Sequence, residues 1–111
     1  MIKVGILGST GRVGSLLIDD LQNDEQAQIG SIHVFDDLQK QVPEDVVITN
    51  DMKTMIDNCD VVIDFSAPRA TEELLDTIIA SDNKKPLVIA TTGFSEHQKN
   101  LLIEASKVTP I

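Results

Sequence analysis

Residues 5–17, GILGSTGRVGSLL, set glycines at 8, 11 and 14 between a short apolar run and a segment of helical period. Three residues without Cβ are a costly way to make an ordinary turn, because glycine loses more conformational freedom on folding than any other residue. A strand that hands over to a helix gives such a loop a purpose. The first turn of a helix offers unpaired N–H groups and about half a positive charge, which together favour an anion. Gly8 permits the sharp exit from the strand, Gly11 lets phosphate groups approach bare backbone, and Gly14 lets the helix pack close to the sheet. Ser9, Thr10 and Arg12 add hydroxyl and guanidinium donors. A pyrophosphate fits this description. The spacing is G-x-x-G-x-x-G rather than G-x-G-x-x-G, so the motif draws its meaning from its place directly after a strand.

The remainder of the chain repeats the same alternation of short apolar runs and helical periods. Strands are expected at Ile2–Leu7, 29–35 (IGSIHVF), 46–48, 60–65 and 86–90. Helices are expected after the glycines, with Val13, Leu16, Leu17 and Leu21 on the buried face; after a cap at Asn50 or Asp51; from Pro68 to about Ser81; and after Ser95, whose partner Gln98 completes a capping box. The strand at 60–65 is nearly continuous apolar sequence and reads as central, covered on both faces. Strands alternating with helices predict an α/β architecture, a doubly wound, mostly parallel sheet of the Rossmann type. With 111 residues the chain is one dinucleotide-binding domain, residues 1–111.

Such a site needs an acidic residue at the end of the second strand, about 20 residues beyond the loop, to hold the adenosine ribose. Asp36 lies 22 residues beyond Gly14, with Asp37 beside it. Two carboxylates would repel a 2'-phosphate, so of NADH and NADPH the sequence favours NADH. Nine basic residues against eighteen acidic ones leave a net charge of -9, and the chain has three Phe but no Trp or Tyr. This opposes nucleic-acid binding. No apolar stretch approaches the roughly 18 residues of a membrane span, and residues 1–8 do not resemble a secretory leader. Cys59 is the single cysteine, read as a small buried residue in a reducing, cytoplasmic setting. His33 and His97 have no evident partner. Arg69, Lys84 and Lys85 read as solvent-facing charges, and Asp60 and Asp64 as structural hydrogen-bonding groups at the ends of a strand.

Three stretches resemble one family. GSTGRVG is similar to the G-x-x-G-R-M-G loop of dihydrodipicolinate reductases, DVVIDFSAPRAT to their D-V-x-I-D-F-[ST]-x-P-x-x-T segment, and VIATTGFSEHQ to their V-I-G-T-T-G-[FL] segment. The resemblance implies that residues from Gly8 to Val13 hold the pyrophosphate and Asp36 the ribose. Phe65, Ser66, Ala90, Thr91 and Thr92 would line the nicotinamide end. Val13 stands where the family has Met, and Ala90 where it has Gly, adding a methyl close to the cofactor. The family's catalytic His-His-x-x-Lys segment belongs to a C-terminal substrate and tetramerisation domain, absent from this chain. The resemblance thus implies an NAD(P)H-dependent reductase of lysine and diaminopimelate biosynthesis, homotetrameric through that second domain, with the 111-residue chain alone inactive.

Two other functions fit the glycine loop. One is a stand-alone nucleotide-binding sensor module; the other is a different Rossmann oxidoreductase, whose Tyr-x-x-x-Lys pair would require a Tyr that this chain lacks.

Overall fold

The computed structural model of the chain describes residues 1–9, 12–35 and 42–111. Among them the chain forms strands β1 (Ile2–Leu7), β2 (Ala27–His33), β3 (Val47–Thr49), β4 (Val61–Asp64) and β5 (Leu87–Ile89). Helices α1 (Arg12–Gln22), α2 (Met52–Asp57), α3 (Pro68–Ala80) and α4 (Glu96–Ser106) alternate with them. The sheet order is β3-β2-β1-β4-β5, and every neighbouring pair is parallel. The chain therefore starts in the middle, winds outward to β3, and returns to the other side of β1. From there the chain leaving β1 and the chain leaving β4 lead to helices on opposite faces of the sheet, the arrangement that places a crevice at its carboxyl edge.

Apolar side chains fill both faces. Val4 and Ile6 of β1 join Ile18 of α1 and Ile32 of β2 in one cluster, while Leu7 joins Met55, Leu74 and Leu75 in the other. Ile6, Leu7, Ile18 and Leu74 are fully buried, each contributing about 1.5–3 kcal/mol through removal from water. Cys59 is buried among the second cluster, and its burial is the first cause pushing the thiol pKa above its ordinary value. No helix among the described residues is long and apolar enough to cross a membrane.

Local signals place the helix starts where the sequence expects them. Asp51 caps α2 by accepting from the Thr54 N–H, Pro68 opens α3, and Ser95 with Gln98 forms the capping box of α4. Three expectations differ. On α1, Val13 and Leu16 are 49% and 59% exposed, whereas Ile18 is fully buried. At 100° per residue Leu16 lies about 160° from Ile18, so the buried face is centred on Gly14, Ile18 and Leu21. Strand β2 begins at Ala27 and ends at His33, two residues earlier than read, and a register shift skips Gly30 so that Ile29 and Ile32 both enter the α1-side cluster. A Cβ at residue 30 would stand 2.9 Å from the Lys3 Cβ, so the bulge occupies the close approach that glycine allows.

The third difference concerns the lysines. Lys84 is not a free surface charge: its Nζ donates to the carbonyls of Ile78 (2.7 Å), Ile79 (2.8 Å) and Ser81, closing the end of α3. Lys85 Nζ donates to the Cys59 carbonyl. Asp60 is structural as read, accepting from the Lys3 N–H at 2.8 Å while its own N–H donates to the Lys3 carbonyl.

Candidate dinucleotide site

Gly8 leaves β1 at φ 94°, a left-handed conformation that L side chains rarely adopt. It also presses against the exit of β4. A Cβ there would overlap the Phe65 carbonyl group, 2.6 Å from its carbon, and stand 2.9 Å from the Ser66 nitrogen. The Phe65 N–H donates to the Leu7 carbonyl at 3.0 Å. The β1 and β4 loops are thus in backbone contact at the crevice. Gly14 serves a more local purpose than close packing on the sheet: a Cβ there would overlap the Gly8 carbonyl and stand 2.9 Å from the Ser9 Cα. It folds the first turn of α1 against the strand exit itself. Arg12 and Val13, exposed in that turn, have no acidic neighbour within it. Thr10, Gly11 and Asp36 lie outside the described residues.

Several hydroxyl groups expected at the ligand instead point inward. Ser9 is buried, and its Oγ donates to the His33 carbonyl at 3.4 Å, tying the glycine loop to the end of β2. Ser66 Oγ and Thr91 Oγ1 both donate to the fully buried Asp64 carboxylate, the latter at 3.1 Å. What the segments 65–67 and 90–92 offer the crevice is therefore mainly backbone, with Ala90 and Thr92 exposed. The following Gly93 has φ 86° and nothing within 4 Å of where a Cβ would stand. Serine and threonine in these motifs read equally well as ligand donors or internal ties, and only their partners separate the two.

Beside this edge lies a pocket of 270 Å³, lined by Phe35, Ala67, Arg69, Ala70 and Glu73. Phe35 is 69% exposed and meets His33 edge to face, with ring centroids 4.9 Å apart. His33 is buried with neither ring nitrogen hydrogen-bonded, while His97 is exposed at the start of α4. Sequence reasoning missed this pocket. Its one available signal was a large apolar residue placed just before the acidic pair at 36–37.

The sheet order, the glycine contact and the crevice define an arrangement suited to an extended anionic ligand. Comparison with known proteins narrows it. Residues 2–111 match the family model described as "Dihydrodipicolinate reductase, N-terminus". The chain belongs to this family. A 4-hydroxy-tetrahydrodipicolinate reductase of Aliarcobacter butzleri is 61% identical over the whole chain, and one of Sulfurovum sp. is 53% identical. In both cases the aligned region is 43% of the relative, so the chain spans less than half the length of these reductases. Among solved structures, a dipicolinate-bound dihydrodipicolinate reductase from Paenisporosarcina sp. TG-14 superposes with a TM-score of 0.76 at 23% identity, over 94% of this chain and 43% of that one. A Plasmodium falciparum pyrroline carboxylate reductase with NADP bound gives 0.68 at 17% identity, over 94% and 38%. At those identities the superpositions establish the shared fold. The family assignment rests on the sequence match, and it agrees with the three motifs.

Proposed function

We propose that this chain is the nicotinamide dinucleotide-binding domain of a 4-hydroxy-tetrahydrodipicolinate reductase, which reduces the dihydrodipicolinate precursor to tetrahydrodipicolinate in lysine and diaminopimelate biosynthesis. The observation that carries this reading is the contact of Gly8 with the Phe65–Ser66 backbone at the reversal of strand order, because dinucleotides bind across that point in doubly wound sheets. The residues present fit such a ligand: a left-handed glycine where a Cβ would block the turn, and a helix start flanked by an arginine with no acidic residue in its first turn.

In this reading the Gly8–Val13 segment, with Ser9, Thr10, Gly11 and Arg12, cradles the pyrophosphate. Ser9 contributes backbone, since its hydroxyl is turned inward. Asp36 holds the adenosine ribose. The pocket between Phe35 and Arg69 takes the adenine ring, through contact with an aromatic ring and a guanidinium group. Phe65, Ser66, Ala90, Thr91 and Thr92 bound the nicotinamide end. When bound, the reduced dinucleotide supplies the hydride, and this domain's own residues orient it. The groups that hold the substrate and deliver a proton belong to a second, C-terminal domain, which also assembles the homotetramer. The chain alone binds dinucleotide without turning over. NADH is favoured over NADPH because Asp36 and Asp37 both oppose a 2'-phosphate.

The test is calorimetric titration of the 111-residue chain with NADH, NADPH and ADP-ribose. Gly11→Val is expected to abolish binding while leaving the thermal unfolding midpoint unchanged. Unaltered affinity in that variant, or reductase turnover by the chain alone, would overturn the assignment.

A further inference from the structure

Asp64 closes β4 at the crevice with its side chain wholly buried. Four donors converge on it. Oδ1 accepts from the Ser66 N–H (2.9 Å), from Ser66 Oγ and from Thr91 Oγ1 (3.1 Å), while Oδ2 accepts from Thr71 Oγ1. These donors come from the β4–α3 turn, the first turn of α3 and the loop after β5. Asp64 also accepts through its main chain, from the Ala90 N–H at 2.9 Å.

A carboxylate is an expensive group to bury, and among the described residues Asp64 takes part in no ion pair. Its place is explained by the number of lone pairs it brings to one point: a single apolar or hydroxyl side chain could not accept from three segments together. The segment after Thr91 has little else to hold it. Thr92 and Gly93 are exposed, a Cβ at Gly93 would meet nothing within 4 Å, and the next side-chain hydrogen bonds are those of the Ser95 capping box.

We infer that Asp64 is a positioning residue for the nicotinamide half of the site: by accepting from Ser66, Thr71 and Thr91, it sets the 65–67 and 90–92 segments at one fixed separation. This rests on the dinucleotide reading above. Ser66 and Thr71 flank the Ala67–Ala70 wall of the Phe35 pocket, so these two bonds also bear on the adenosine half, whereas the Thr91 bond reaches only the loop after β5; its loss is the change to which the two halves of the ligand respond differently.

The experiment titrates NADH and ADP-ribose, which lacks the nicotinamide, into the chain carrying Asp64→Asn, Thr91→Val or Thr91→Ser. Thr91→Val removes one donor with little change of shape, and it keeps the test available should Asp64→Asn fold poorly. Loss of one such bond is expected to weaken NADH about fivefold, with ADP-ribose affinity kept within about twofold. Thr91→Ser retains the hydroxyl and is expected to restore NADH affinity. The fluorescence of bound NADH, which reports the surroundings of its ring, is expected to differ from wild type in Thr91→Val and to match it in Thr91→Ser. Parallel loss of both ligands in Thr91→Val would overturn the role, since that is the signature of general destabilisation. Equal wild-type affinities for the two ligands would overturn it as well, because there would be no nicotinamide contribution to lose. A wild-type chain that binds neither would refute the dinucleotide site itself, a result distinguishable from the other two.

Discussion

A Cβ on Gly14 would stand 2.9 Å from the carbonyl carbon of Gly8 and would overlap its oxygen. The first turn of α1 and the exit of β1 thus meet backbone to backbone, with no flexible side chain able to move aside. Alanine is the better helix former by about 1 kcal/mol, so propensity and packing make opposite predictions at this position. Packing should win. Gly14→Ala is expected to destabilise the chain by about 2 kcal/mol, read as a lower urea midpoint with an unchanged slope. A variant as stable as wild type would show that the contact relaxes freely.

Lys84 supplies α3 with the cation that its own last turn lacks. Its three carbonyl acceptors lie at a helix end, where the Ile78 carbonyl otherwise accepts only from the Ser81 N–H and where a positive charge is also favoured by the dipole. Lys84→Met keeps the stem and removes the donors. It should cost about 1 kcal/mol in denaturant unfolding, with Lys84→Arg recovering part of the loss. No change would place the ammonium in solvent.

The two Thr54 hydrogen bonds, first from its hydroxyl and then from its N–H, hold the Asp51 carboxyl below its ordinary pKa of 3.8, and Lys53 does the same for Asp57. A depressed folded-state value means stability that is present above the ordinary value and lost as pH falls from 3.8 through the lower folded-state value. The chain is therefore expected to lose stability below about pH 4. Asp51→Asn keeps a capping oxygen and removes the titration, so its melting temperature should fall less steeply on acidification. An acid limb identical to wild type would locate the effect elsewhere.

Cofactor choice tests the acidic pair. Replacing Asp36 with Ser and Asp37 with Arg removes two repulsive charges and adds an attractive one, so affinity for NADPH relative to NADH should rise by about tenfold. Steady-state titration with both forms reads this directly. An unchanged ratio would move the ribose contact away from residues 36 and 37.

Element order, helix caps and the glycine loop were all legible in the chain itself, because each depends on residues a few positions apart. Asp51 finds its acceptor role with Thr54, Ser95 with Gln98, and the apolar run at 2–7 becomes β1 with unchanged limits. The three family motifs were legible for the same reason. On α1 the helical period carries no reference face, so Val13 and Leu16 count in the sequence toward a buried side although both face solvent.

The chain by itself determined that strands and helices alternate and that bare backbone follows the first strand, since periodicity and glycine spacing are local properties. Tertiary structure alone decided what its polar groups do. Ser9 turns to a carbonyl 24 residues away and Thr91 to a carboxylate 27 residues away, and the Phe35 pocket forms only when β2 and α3 are brought together. A hydroxyl has the same chemistry wherever it stands; the fold supplies the partner that makes it a ligand contact or a brace.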